Sequence, residues 1–192
     1  MVNYPDGRKK TFHNTAASFG GRGMALEEDI NITNTYYLST DRAVIHKKPT
    51  PVTIVKVDYP SRSAAKITEA YFKLPSTTDY NGIYRNRYID FEAKECASAT
   101  SFPLKSIHEH QITHLETVLK HGAIAFVLVR FTKFGKTFYI PAETMIPYIR
   151  SLTRRSIPYA WFEENGHVIP YNYVKPVDYL KVIDTLYFKE NQ

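Results

Sequence analysis

Three residues in the middle of the chain have the types and spacing of a phosphodiester-cleaving site: Asp79, Glu92 and Lys94. Glu92 and Lys94 stand two apart in Tyr88–Glu95, where Ile89, Phe91 and Ala93 alternate with Asp90, Glu92 and Lys94. Alternation of this kind predicts a strand with Glu92 and Lys94 on one face. On this reading the apolar residues meet the core, and the two carboxylates and the lysine point away from it. Asp79 ends Ser76-Thr77-Thr78-Asp79, just before Asn81-Gly82, read as a turn. A hairpin or bent strand there can carry Asp79 beside Glu92. Two converging carboxylates form a hard oxygen site suited to Mg²⁺, with Mn²⁺ as the alternative. A metal so held polarises a scissile phosphate and lowers the pKa of an attacking water. Lys94 can orient that water or stabilise charge developing at phosphorus.

A bare Asp…Glu-x-Lys pattern also occurs on solvated, salt-bridged strand faces. The charge distribution favours chemistry. Of the net charge of +6, residues 42–94 hold ten Lys/Arg against five Asp/Glu, whereas residues 23–41 carry −4. Carboxylates inside a basic field are what a nuclease needs: cations for phosphates, oxygens for metal. Residues 47–75 hold Lys47, Lys48, Lys56, Arg62, Lys66 and Lys73, taken as candidate DNA contacts.

The elements that must position these residues follow from periodicity. Residues 1–23 are polar and glycine-rich, and are expected to form a flexible N-terminal arm ahead of one nuclease domain over 24–192. Residues 24–38 have helical spacing and 43–46 a short strand. Pro49 and Pro51 exclude a central strand there. Residues 47–75 therefore read as a projecting insertion, with strands at 52–57 and, as strand or short helix, at 65–72. A helix is expected over 104–121, stopped by Gly122. The continuously apolar 123–129 predicts a strand covered on both faces. Another strand follows at 137–140, and a helix at 176–188. The fold class is α/β, a mixed central sheet flanked by helices. The single cysteine, Cys96, excludes an internal disulfide and is expected to be inert. No apolar run reaches the ~18 residues of a membrane span. A soluble, cytoplasmic protein is expected.

Beyond these spacings the chain resembles, over most of its length, the RecU-type Holliday junction resolvases of the PD-(D/E)xK nuclease superfamily. The matching stretches are Gly21–Met24, Ala43–Pro51, Val57–Pro60, Glu69–Phe72, Ser76–Tyr80, Tyr88–Glu95, His108–Gln111 and Asp178–Leu180. The resemblance implies a restriction-endonuclease-like core with a protruding stalk at about 47–75. It implies a homodimer that resolves four-way DNA junctions by paired cuts in recombination and repair. Recombinase and branch-migration proteins are candidate partners. It assigns metal binding to Thr77, Asp79, Glu92 and Gln111, transition-state stabilisation to Lys94, and a strand-exchange role to Arg62. Glu95-Cys96-Ala97 departs from a family pattern in which a lysine often follows.

Several residues carry two readings. Asp90 is either a further metal-site carboxylate or a structural partner, for instance of Arg87. Glu27 is a carboxylate near the site or a solvated charge. His110 and His114, four apart, have zinc-pair spacing but sit among oxygen ligands, which favours solvated or phosphate-facing roles, as for His108. Trp161 and most of the 15 tyrosines belong in a core, with Tyr80 and Phe72 the candidates for base contact. Two other functions compete: a non-catalytic junction-binding accessory protein, and a restriction-type nuclease acting on duplex sequence.

Overall fold

The computed structural model describes residues 26–73 and 77–188. The expected arm at 1–23 lies outside them. The described chain divides into two units, one of residues 49–73 and one of residues 26–48 with 77–188. Lys47 and Lys48 thus belong to the larger unit, and the insertion begins at Pro49.

The smaller unit is an antiparallel hairpin. Its strands follow the first strand of the larger unit, β1 (Val44–Lys47), and are β2 (Val52–Asp58) and β3 (Lys66–Phe72). Both strands are β-branched or aromatic at many positions, which favours pleated backbone, and every residue of both is exposed. The register shifts on either side of Lys56. The Lys73 N–H donates to the Pro51 carbonyl at 3.0 Å, so the two ends of the hairpin meet. The alternative of a helix at 65–72 is thereby excluded.

The larger unit is a six-stranded mixed sheet ordered β1, β4 (Tyr80–Tyr84), β5 (Arg87–Cys96), β7 (Ile124–Phe131), β8 (Lys136–Pro141), β10 (His167–Ile169). Only β5 and β7 pair in parallel. Helices α1 (Leu26–Ser39) and α5 (Tyr179–Tyr187) cover one face, with Ile89, Phe91, Phe126 and Tyr139 beneath them. Helices α2 (Glu109–Lys120), α3 (Ala142–Ser151) and α4 (Tyr159–Asn165) belong to the other, with Val127, Val129 and Phe138. A two-stranded ribbon, β6 (Ser101–Pro103) with β9 (Ser156–Pro158), extends this second layer through Phe102 and Ile157. Among the described residues no helix is long and apolar enough to cross a membrane.

The structure changes three expectations that bear on the site. Asn81 and Gly82 form no turn; they lie inside β4, paired with β1 and β5. Gly82 is required there because a Cβ would sit 2.1 Å from the Val44 carbonyl oxygen. The turn is Arg85-Asn86, both at positive φ (46° and 62°), the two-residue geometry that suits a twisted hairpin. Helix α2 begins at Glu109, not at 104, because Pro103–Ile107 is occupied by β6 and a short 3₁₀ turn. The polar face of β5 also does not point away from the core: Asp90 and Glu92 are both 0% exposed. β5 is a central strand with helices over both faces, so alternation separated two buried faces rather than inside from outside.

Candidate active site

The pairing of β4 with β5 sets Tyr80 opposite Phe91, so the next residues outward, Asp79 and Glu92, are neighbours. β1 continues the same row, where the Lys48 N–H donates to the Asp79 carbonyl at 2.7 Å. Asp79 is half-buried. The Lys94 ammonium lies 2.5 Å from Glu92 Oε1. Neither Glu92 oxygen accepts a well-formed hydrogen bond among the described residues. Burial first, and then the adjoining Asp79 carboxyl, push the Glu92 pKa up to about 8, against the opposing pull of Lys94.

A buried carboxylate with unused lone pairs, beside a second carboxylate, fits a divalent cation. Among the described residues no three His, Cys, Asp or Glu side chains converge. Two carboxylates must therefore be supplemented by neutral oxygens and water, a donor set suited to Mg²⁺ rather than zinc. Thr77, half-buried, turns its hydroxyl to the Thr78 carbonyl at 3.3 Å. Gln111 is buried, and its Oε1 accepts the His108 N–H at 2.9 Å, closing the first turn of α2. Because α2 crosses over between the parallel strands β5 and β7, it runs antiparallel to β5. His114 meets Asp90 at 3.1 Å. Gln111, three residues or about 4.5 Å back along α2, therefore lies from His114 in the direction of the Glu92 end of β5.

Asp90 is resolved in favour of a structural role. Its carboxylate receives Lys48 Nζ at 2.8 Å and the Tyr88 hydroxyl at 2.9 Å, as well as the Thr78 hydroxyl and His114 Nε2. Lys48 also donates to Thr78 Oγ1 at 2.9 Å. Four donors leave Asp90 little capacity for metal. They also tie the end of β1, the entry to β4 and helix α2 together beside Asp79 and Glu92. Arg87, the partner expected for Asp90, instead donates to the Gly122 carbonyl at 3.0 and 2.6 Å. Lys48, expected to face DNA, turns inward, with its side chain 18% exposed. Lys47 is exposed and pairs with Glu27 at 2.5 Å.

Glu27 is an exposed charge on the first turn of α1, its side chain 55% exposed. With Leu26, Asp79, Tyr80, Ala93 and Glu95 it lines a cleft of about 230 Å³. Glu95 accepts the Leu26 N–H at 2.5 Å and so caps α1 from β5. That contact pins the first turn of α1 over the cleft; nothing in the local sequence of α1 announces a cap supplied 69 residues later. His110 and His114 form no zinc pair: His110 stacks on His108, ring centroids 5.5 Å apart, while His114 serves Asp90. Tyr80 stacks on Phe91 in the core, 4.8 Å between centroids, and Trp161 is buried as expected. Phe72 is 82% exposed on the hairpin. Lys56, Lys66 and Lys73 are exposed on the same hairpin; the side chain of Arg62 lies outside the described residues.

The family described as "Recombination protein U" matches residues 21–185. Similar chains include "Holliday junction resolvase RecU" of Oceanobacillus iheyensis, 51% identical over 97% of this chain and 100% of that one. Those of a Geobacillus species and of Shouchella clausii, with the same name, are 51% and 55% identical over 98% and 90% of this chain and 98% and 84% of theirs. Among solved structures, the Archaeoglobus fulgidus Hjc Holliday junction resolvase has a TM-score of 0.44 at 12% identity, over 74% of this chain and 92% of that one, a likeness too slight to bear on the fold. A family match over most of the chain, with relatives at half identity end to end, places this protein in the RecU family.

Proposed function

We propose that this protein is a divalent-metal-dependent endonuclease that resolves four-way DNA junctions by paired phosphodiester cuts. The observation that carries the reading is Glu92: a fully buried carboxylate beside Asp79, with the Lys94 ammonium 2.5 Å away and no well-formed hydrogen bond at either oxygen among the described residues. Such a group destabilises a metal-free fold, and its presence is accounted for by a ligand that it holds. The names of the relatives at about 50% identity supply the substrate.

Asp79 and Glu92 would hold Mg²⁺, with the Thr77 hydroxyl and the Gln111 carbonyl oxygen completing the protein's share of the shell. The bound ion would supply Lewis acidity at the scissile phosphate and a water of lowered pKa. Lys94 Nζ, already held at Glu92, donates a hydrogen bond to a phosphate oxygen and stabilises the charge gathering there. The Asp90 cluster positions this apparatus: Lys48 is fixed by Asp90 through its side chain and fixes Asp79 through its backbone. Burial of Glu92 under α2 keeps water from screening these charges.

Two cuts on a two-fold substrate call for a two-fold enzyme, so the active form is a homodimer. The exposed cationic hairpin, with Lys56, Lys66 and Lys73, is assigned to the junction centre, an open ring of phosphates that continuous duplex lacks. Cleavage of a synthetic four-way junction, compared with linear duplex in Mg²⁺ and in EDTA, tests the proposal. Symmetric nicks in the junction alone, dependent on metal, are expected.

A further inference from the structure

The ribbon β6–β9 gathers three exposed cations outside both the catalytic row and the hairpin: Lys105, Arg154 and Arg155. Lys105 lies two residues after β6, in the 3₁₀ turn Leu104–Ser106, and Arg155 directly precedes β9. The two are drawn together because Pro103 pairs with Ser156 and the Leu104 N–H donates to the Arg155 carbonyl at 3.0 Å. Among the described residues none of the three has a carboxylate within 4.0 Å. Some exposed cations elsewhere do: Lys136 with Glu163 at 3.0 Å, Arg85 with Asp184 at 3.4 Å, and Arg150 with Glu109 at 2.6 Å. Glu109, the nearest acid in sequence to Lys105, is thus taken by Arg150. Neither 97–108 nor 144–162 contains an Asp or Glu, so nothing within these segments offsets the charge.

The placement of the ribbon gives this charge a direction. β5 carries Glu92 and Lys94 and ends at Cys96, with four residues between it and β6. Cys96 and Phe102 share the core layer of α2, and α2 returns with Gln111 and His114 over the same face of β5. The ribbon therefore continues the α2 side of the site past the Lys94 end of β5. A DNA strand with one phosphate at Lys94 carries further phosphates at about 3.4 Å intervals of helix axis.

We propose that Lys105, Arg154 and Arg155 form a phosphate-binding surface for the duplex arm that flanks the cut. This assignment rests on the nuclease reading of the Asp79/Glu92/Lys94 site. It separates two tasks: the hairpin reads the junction centre, while the ribbon grips an arm that junction and linear duplex both possess.

The test is binding without cutting, in EDTA, by the full-length triple variant K105Q/R154Q/R155Q. Fluorescently labelled four-way junction and linear duplex are titrated over a range of salt. Each lost phosphate contact should reduce the slope of log affinity against log salt by about 0.9. The triple variant should therefore show slopes shallower by about 2–3 on both DNAs, with the junction-over-duplex affinity ratio kept within about twofold. The control K120Q/K181Q removes exposed cations from the far end of α2 and from α5, and should keep the parental slopes. Melting temperatures of all variants are measured alongside; if the triple variant does not fold, R154Q alone should lower the slope by about 0.9. Parental slopes in a folded triple variant overturn the assignment and leave the surface to another partner, such as an acidic protein. A loss confined to the junction, or an equal loss per charge in the control, also overturns it. Failure of the parent to cut junctions in Mg²⁺ would instead remove the nuclease reading, which the binding slopes do not probe.

Discussion

Replacing Glu92 by glutamine should stabilise the metal-free protein, by an amount that depends on pH. The Glu92 pKa is pushed up to about 8 from 4.5, chiefly by burial. At 1.36 kcal/mol per unit, ionising this group in the fold costs roughly 3–5 kcal/mol. A carboxyl whose folded pKa lies above its unfolded value contributes stability below about pH 4.5, and that contribution is lost as pH rises through about 8. Glutamine keeps the shape and never ionises. At pH 5 the gap between parent and Glu92→Gln should be under about 1 kcal/mol; by pH 9 it should reach its full value in favour of the variant. For a domain of this size that is a difference in Tm of about 10 °C. The assay is thermal and urea unfolding of both proteins in EDTA at pH 5, 7 and 9. The competing effect is the Lys94 ammonium 2.5 Å away, whose attraction opposes burial. If Glu92→Gln is less stable than the parent at pH 9, or if the gap does not vary with pH, then pairing outweighs desolvation and the reasoning fails. The same linkage makes metal affinity climb with pH toward 8, since the ligand must shed its proton.

Two further outcomes follow from the geometry. Asp90→Asn should cost about 2–3 kcal/mol in urea unfolding, because it leaves the largely buried Lys48 ammonium uncompensated. Lys48→Met in the same chain should recover most of that loss, and strictly additive losses would show that the pair does not act as a unit. Excising the hairpin between Pro51 and Lys73, whose backbones meet at 3.0 Å, and closing the gap with a short Gly-Ser linker should leave the larger unit folded. With a sedimenting dimer as the criterion of integrity, junction affinity should fall toward the duplex value and its salt slope should flatten by up to about 3. A folded dimer with undiminished junction preference would remove the hairpin from recognition.

Much of this architecture was legible because its signals are local. The alternation in Tyr88–Glu95, the apolar run ending in β7 and the prolines at 49 and 51 each impose their element on physical grounds. The short elements after β8 were not legible: β9 and β10 have three residues each, too few for a period to register. The polarity of the β5 faces was misread because alternation reports two different faces but not what covers them. Only the tertiary fact that α2 crosses over β5 buries Asp90 and Glu92. The Asp79–Glu92 pair was legible as a spacing, and the register of β4 against β5 supplies the reason. Gln111 entered through family resemblance alone; the structure buries it in the first turn of α2, where its Oε1 accepts the His108 N–H. The Glu95 cap on α1 and the Lys48 and His114 contacts of Asp90 were illegible because they join residues 69, 42 and 24 positions apart, with no local pattern to announce them.

The central claim is that Asp79, Glu92 and Lys94 form a metal-dependent nuclease site acting on four-way junctions. It is tested most directly by single-turnover cleavage of a labelled junction with saturating Mg²⁺, by the parent, Asp79→Asn and Glu92→Gln, with binding measured on the same substrate. The account predicts paired cuts by the parent and at least a thousandfold slower cutting by each variant, a barrier increase of about 4 kcal/mol, with junction affinity retained or tightened as carboxylate repulsion is relieved. Cutting by either variant at the parental rate, or cutting by the parent without divalent metal, would contradict it.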